Sequence, residues 1–187
     1  MNKAQRLALL TFLDTELLNE GSWCGETHIQ KAAYLLQELL GVRTAYDFIL
    51  YKHGPFSFEL RDDLVSLEAD GFLELTVRDP RYGPSYIPTK FGETFIERFQ
   101  KIVQRYREQV RFVAAELGGM GVADLEKMAT ALFITRRSGS TSLEARAEEL
   151  NFIKPHISLI EAKQAVTAID RLLRRSHLLA VTAEAES

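Results

Sequence analysis

The chain has 187 residues, of which 46% are hydrophobic and 26% charged, a balance typical of a soluble globular protein rather than a disordered one. Its one cysteine, Cys24, cannot form an internal disulfide, which favours a cytoplasmic location. Charges interrupt the apolar N-terminus, and no apolar run reaches the roughly eighteen residues of a membrane span, so no signal peptide and no membrane partner are predicted. Residues 1–100 carry ten basic and fifteen acidic side chains, whereas residues 101–187 carry thirteen and eleven. The two halves therefore favour different partners.

The chain opens with two predicted helices. Apolar residues recur at near-helical spacing over residues 4–19, and Gly21 suits the left-handed position that ends such a helix. Thr27 and Gln30 have the spacing of a capping box, in which two side chains satisfy each other's backbone N–H groups. This pair predicts the start of a second helix, which continues to Leu40.

Residues 47–97 have the element order of a winged helix-turn-helix. A Gly-Pro turn follows an apolar strand, a capped helix follows the turn, and a hairpin with a long tip follows the helix. The long tip would be the wing. The segments are a strand over 47–51, the turn His53-Gly54-Pro55, a helix over 57–70 between Ser57 and Gly71, and strands over 72–77 and 86–88.

The rest of the chain is predicted to be helical. Thr89 caps a long amphipathic helix to Leu117, with Phe91, Phe95 and Phe99 on its apolar stripe. Glycines at positions 118, 119 and 121 break this helix. Three further helices are predicted: one over 122–136, one that starts at Thr141 after a polar loop at 138–140, and one from Ser158 to about Arg175.

The predicted fold class is therefore mainly α (α+β), a winged helix-turn-helix with a small β-hairpin wing followed by an α-helical C-terminal half. Residues 1–117 would form the winged-helix domain, including the long connecting helix. Residues 118–181 would form a helical region, and residues 182–187, which lack apolar periodicity, a disordered tail.

The helix over 57–70 is acidic where a DNA-reading helix should be basic, because affinity for DNA comes largely from neutralising phosphates. A solvated polar face is one explanation. However, no cations at i+4 spacing balance these carboxylates, which favours a surface for a basic protein partner. The helix has one basic residue, Arg61, and five acidic ones: Glu59, Asp62, Asp63, Glu68 and Asp70.

Basic residues elsewhere are the features that favour nucleic acid. Arg78 and Arg81 stand beside Tyr82 in the predicted wing, a combination that can reach a groove or dock a protein. Basic residues on the later helices have ordinary explanations, as partners of acids at i+4 or as cations at a helix C-terminus.

No pattern of catalytic or metal-binding residues is present. The four histidines have no zinc-ligand spacing, and Cys24 has no second cysteine beside it. The glycines near position 118 follow a helix rather than a strand and lack the lysine of a phosphate-binding loop. No catalytic residue, no metal and no cofactor are therefore predicted.

Three segments have a recognisable pattern: E-T-H-I-Q-K-A-A-Y-L-L-Q-E-L-L at 26–40, F-I-L-Y-K-H-G-P-F-S-F-E-L-R-D-D-L-V-S-L-E-A-D-G-F-L-E-L at 48–75 and K-P-H-I-S-L-I-E-A-K-Q-A-V at 154–166. They resemble the YwgA-like family, which is related to the Panacea/SocA antitoxin domains and to the C-terminal domain of DarG-type antitoxins. The resemblance implies a small non-catalytic module that accompanies toxin or defence components. In DarG-type antitoxins, such a module inhibits its partner by occupying the partner's nucleic-acid site.

We therefore expect a non-catalytic winged-helix protein-binding module, antitoxin-like or immunity-like, whose partner is a toxin or defence component with a basic or nucleic-acid-binding surface. The alternative is a DNA-binding transcriptional regulator that uses the wing residues Arg78, Arg81 and Tyr82. A second copy of the chain, docked on the helix over 90–117, is a further candidate partner. The predicted partner contacts are Lys52, His53, Gly54, Glu59, Asp62, Asp63 and Asp70.

Overall fold

The computed structural model describes residues 1–137, 139 and 142–185, with residues 177–185 described by their helical backbone alone. The described chain is mainly α-helical with two small antiparallel hairpins, which confirms the predicted α+β class. Part of the predicted loop at 138–140, the predicted helix start at Thr141 and the last two residues of the predicted tail lie outside the described residues. The helices are α1 (Lys3–Asn19), α2 (Glu26–Leu40), α3 (Phe58–Ala69), α4 (Lys90–Arg98), α5 (Gln100–Leu117), α6 (Val122–Arg137), α7 (Leu143–Ile153) and α8 (Leu159–Ala185), and the strands are β1 (Ile49–Tyr51), β2 (Gly54–Phe56), β3 (Leu73–Thr76) and β4 (Ser85–Pro88).

Local signals fix most helix ends. The side chains of Ser57 and Thr89 accept hydrogen bonds from the backbone N–H three residues further on, so both predicted N-caps are confirmed. Gly41 and Gly71 have φ angles of 67° and 73°, the left-handed geometry that follows a helix. The predicted stop before Gly118 is also confirmed, because α5 ends at Leu117.

The predicted capping box at the start of α2 is wrong. Helix α2 begins at Glu26 with Gly25 as its N-cap, and no side chain caps it. Gln30 is fully buried and bonds the backbone of Ser57 twice, accepting from its N–H and donating to its carbonyl, each at 2.9 Å. A contact across 27 residues therefore takes the side chain that the local pattern assigned to the cap.

The predicted turn at His53-Gly54-Pro55 is displaced. The chain reverses at Lys52 and His53, and Gly54–Phe56 forms strand β2, which pairs with β1. Gly54 has a φ of 88°, and a Cβ there would lie 3.0 Å from the Thr130 hydroxyl oxygen. The glycine is therefore needed because the hairpin packs closely on α6.

The predicted long helix is two helices, α4 and α5, separated at Phe99. Gly92 approaches the residue before β3 so closely that a Cβ would lie 2.3 Å from the Phe72 carbonyl oxygen, and Phe95 stacks on Phe72 with ring centroids 4.2 Å apart. Helix α5 continues along α1, which α4 also contacts. The break at Phe99 allows both contacts, and it leaves Phe91, predicted on the apolar stripe, 75% exposed.

One cluster of buried apolar residues runs from α1 to α8 and spans both halves of the chain. Helix α6 lies at its centre and contacts α2, α7 and α8. Arg146 of α7 donates two hydrogen bonds to the Asp170 carboxylate of α8, at 2.7 and 2.8 Å.

Helix α8 continues to Ala185, so its backbone includes residues 182–185 of the predicted tail. Among the described helices, none has the length and apolar character to cross a bilayer.

The buried imidazole of His28 predicts that the protein loses stability in mild acid. Its Nδ1 lies 2.9 Å from the Ser22 hydroxyl oxygen, and burial lowers its pKa from 6.5 to about 4. Since the unfolded chain binds a proton in this range and the folded chain does not, stability present above pH 6.5 is lost as the pH falls towards 4. We expect a loss of about 3 kcal/mol across the window, measured by urea unfolding as a function of pH.

The variant His28→Gln should lose this part of the pH dependence. The control His53→Gln changes a half-exposed imidazole and should keep it. An unchanged pH slope in His28→Gln would contradict the assignment.

Candidate functional site

The β1–β2 hairpin presents an exposed cluster of aromatic rings. The ring centroid of Tyr51 lies 5.6 Å from that of Phe56 and 5.9 Å from that of Phe58, and the two phenylalanine rings are 5.1 Å apart. Ile49 pairs directly with Phe56, so both side chains lie on one face of the hairpin. Tyr51 and Phe58 are 53% and 50% exposed. We call Ile49, Tyr51, Phe56 and Phe58 the aromatic surface.

Strand alternation explains why Ile49, Tyr51 and Phe56 lie on the outer face of the hairpin. Leu50 and Pro55 form the pair between the two outer pairs, and Pro55 is buried. Since successive side chains point to opposite faces, the neighbours of this pair must face the solvent. These residues were not predicted as contacts from the sequence, because aromatic side chains near strands usually enter the core. The signal that could have found them is the alternation around Leu50 and Pro55.

The exposed side of α3 continues the aromatic surface. Asp62 lies one helical turn after Phe58 and is exposed, so the two side chains are neighbours on the helix. In the described part of the chain, the predicted contacts Asp62 and Asp70 make no ion pair, and neither does Glu68. Glu59 is half exposed but lies 2.6 Å from Arg6 Nη2. Three free carboxylates therefore remain, Asp62 and Glu68 on α3 and Asp70 at its C-cap.

Asp63, also predicted as a partner contact, is buried in the fold. Only 2% of it is exposed, and its Oδ2 accepts hydrogen bonds from Arg6 Nε at 2.8 Å and from the Tyr46 hydroxyl at 2.9 Å. Lys3 Nζ lies 3.7 Å from its other oxygen. Its charge is therefore neutralised by α1, and the side chain does not face a partner.

Lys52, His53 and Gly54 lie where the hairpin contacts the C-terminal half. Lys52 is exposed, but its carbonyl and that of Tyr51 accept hydrogen bonds from Lys154 Nζ. His53 is 54% exposed at its side chain, and Gly54 is buried against α6. These three residues position the hairpin, and only Lys52 and His53 are open to solvent.

A cluster of charged side chains, most of them buried, holds the β1–β2 hairpin against the rest of the protein. Its members are Lys31, Glu126 and Lys154, with His53 and His156 at its edge. Lys154 Nζ lies 2.9 Å from Glu126 Oε1, and His53 Nδ1 and His156 Nε2 lie 3.6 and 3.5 Å from the same carboxylate. Lys31 Nζ donates to the Pro55 carbonyl at 3.0 Å. We call these five residues the Glu126 cluster.

For Lys31 and for Glu126 in this cluster, burial and the neighbouring charge of opposite sign shift the pKa in opposite directions. Burial lowers the pKa of Lys31 to about 8, against the attraction of Glu126. Burial would raise the pKa of Glu126, but the hydrogen bond and charge of Lys154, helped by the two histidines, hold it below its ordinary value. The segments 52–54 and 154–156, which the resemblance singled out separately, therefore meet at one carboxylate.

The cations of the predicted wing are held by the protein itself. Arg78 donates to the carbonyls of Ser22 and Trp23, and its guanidinium lies 4.4 Å from the Trp23 ring centroid. Arg81 forms an ion pair of 2.6 Å with Asp79, while Tyr82 is 62% exposed. Arg78 is therefore structural, and Arg81 has a partner that phosphate would have to displace.

Within the described residues, no three His, Cys, Asp or Glu side chains are arranged to hold a metal ion. Cys24 is fully buried, and burial is the main reason that the pKa of its thiol is raised far above the ordinary value, which does not suit a nucleophile. Comparison of the sequence with protein-family models and with curated proteins gives no match.

Proposed function

We propose that this protein is a non-catalytic winged-helix module, antitoxin-like or immunity-like, which binds a protein partner through the aromatic surface and the neighbouring Asp62. The observation that carries the proposal is the contact among three rings, of which Tyr51 and Phe58 are exposed and Phe56 is partly buried, beside a free carboxylate. Exposed aromatic clusters of this kind are typical of protein interfaces and rare elsewhere on soluble proteins. The order α1, α2, α3 and the β3–β4 hairpin supports the winged-helix assignment.

The chemistry of this surface favours a basic, partly apolar partner. Rings such as those of Tyr51 and Phe58 supply contact area at little entropic cost, and Asp62 would pair with a cation at the rim. A duplex would instead meet three free carboxylates on α3 and at its C-cap. The DNA-binding alternative also loses support because Arg78 and Arg81 are engaged within the protein.

Replacing Phe58 by serine should weaken partner capture by about thirtyfold or more, the usual effect of removing a central aromatic contact. Affinity capture from the native host, followed by titration of the purified partner, measures this loss. Phe91→Ser is the matched control, because Phe91 is also exposed but lies on α4, away from the aromatic surface.

A charge-reversal variant tests the role of Asp62. Asp62→Lys should weaken partner capture. The affinity of the wild-type protein for the partner should fall as salt is added. Glu97→Lys, an exposed charge reversal on α4, should leave capture unchanged. Equal capture by Phe58→Ser and wild type, or salt-dependent duplex binding lost on Arg81→Glu, would overturn the proposal.

A further inference from the structure

A pocket of about 450 Å³ lies between the β3–β4 hairpin, the start of α2 and the link from α5 to α6. Its walls are mainly apolar and aromatic, and its size falls in the range of small-molecule sites. It is separate from the aromatic surface, none of whose residues lines it. The residues that shape it are Trp23, Leu75, Tyr82, Tyr86, Met120 and Val122.

The aromatic walls are held in place before any ligand arrives. Trp23 Nε1 donates a hydrogen bond to the Gly83 carbonyl at 2.8 Å, and the rings of Trp23 and Tyr82 lie 5.3 Å apart. Arg78 covers another part of the Trp23 ring and is fixed to the Ser85 hydroxyl at 2.9 Å. A site whose walls are already ordered loses little entropy on binding.

Glu26 and Thr27, two polar residues at the start of α2, line the pocket, and the Oε1 atom of Glu26 is buried without a hydrogen-bond partner in the described chain. The Glu26 side chain is 37% exposed, and the nearest cation, Arg61 Nε, is 3.9 Å from one of its oxygens, beyond hydrogen-bonding distance. Thr27 does not cap the helix, whose N-cap is Gly25.

A carboxylate accepts hydrogen bonds and repels anions, so the pocket selects against an acidic ligand and for an N–H donor. We propose that the pocket binds a small, mainly apolar molecule that carries an amine or other N–H group, which donates to Glu26 while the body of the molecule packs against Trp23 and Tyr86. This site is independent of the partner-binding role of the aromatic surface.

The chain contains a built-in reporter, because Trp23 is its one tryptophan. The neutral amine N-phenyl-1-naphthylamine absorbs where tryptophan emits, so binding should quench Trp23 and produce saturable probe emission. Val122→Phe places a larger side chain at a wall residue that is 55% exposed, and should weaken probe binding about tenfold. Val77→Phe, at a 64% exposed position outside the pocket, is the matched control and should leave it unchanged.

A matched pair of probes tests the role of Glu26. 8-Anilino-1-naphthalenesulfonate has nearly the same rings but bears a sulfonate, so it should bind about tenfold more weakly than the neutral amine. Glu26→Gln should reduce this preference severalfold. Phe58→Ser should leave both affinities unchanged, since Phe58 belongs to the aromatic surface. Equal affinity of the two probes for wild type, an unaffected Val122→Phe, or absence of energy transfer from Trp23 would each overturn the proposal.

Discussion

Replacing Asp63 by alanine is expected to lower the free energy of unfolding by roughly 3–5 kcal/mol, the range found when one member of a buried ion pair is removed. The variant removes the buried one of the two carboxylates that Arg6 contacts, and the Arg6 side chain, 13% exposed, keeps only the half-exposed Glu59. It also leaves the buried Tyr46 hydroxyl without its acceptor. In a chain of this size, such a loss lowers the melting temperature by roughly 6–20 °C. Thermal and urea unfolding measure the effect.

Asp62→Ala is the matched control, because Asp62 is the adjacent acid on the exposed side of α3. We expect a change within about 0.5 kcal/mol for this surface substitution. Together the two variants separate the two roles of α3: Asp63 should affect stability, and Asp62 should affect partner binding. A stable Asp63→Ala protein that fails to capture the partner would show that Asp63 is a contact residue after all.

Replacing Lys154 by methionine is expected to have a similar effect, roughly 3–5 kcal/mol. The Glu126 carboxylate would stay buried without its closest cation, and the carbonyls of Tyr51 and Lys52 would lose their donor. Because these carbonyls belong to the hairpin, the amides of β1 and β2 should also exchange hydrogen faster. Urea unfolding and hydrogen exchange check the two parts of the prediction.

Lys52→Met is the control, since it removes an exposed lysine of the same hairpin. The double variant Lys154→Met with Glu126→Gln should recover part of the stability, because it removes the unpaired charge. The pKa of Glu126 is held below its ordinary value, so its stabilisation is present above that value and is lost as the pH falls through the lower folded pKa. Wild-type stability in Lys154→Met would rule out the anchoring role of this lysine.

Much of the secondary structure follows from short-range signals in the sequence. Ser57 and Thr89 cap their helices, and Gly41 and Gly71 follow helix ends, because each effect depends on backbone atoms only a few residues away. The fold class followed from these elements. By contrast, Gln30 was assigned to a cap but bonds Ser57, since a buried backbone segment needed hydrogen-bond partners that only a distant side chain could supply.

The candidate site was predictable only in part. The position of the hairpin and the acidity of α3 were visible in the sequence, and Asp62 remains the predicted contact that the geometry favours. The aromatic surface was missed, because the side of a short strand that faces solvent depends on what covers the other side. The long helix over 90–117 was likewise divided at Phe99, where α4 packs against Phe72 and α5 continues along α1.

The sequence by itself determined the helical character, most helix ends and the excess of carboxylates on α3, since these depend on composition and local backbone chemistry. Only the tertiary structure decided which of those carboxylates are free. Arg6 and Lys3 reach Asp63 from about sixty positions earlier in the chain, and Arg6 also reaches Glu59. Charge compensation acts through space, so a pattern of neighbours along one helix could not show that Asp63 was neutralised while Asp62 was left exposed beside the aromatic surface.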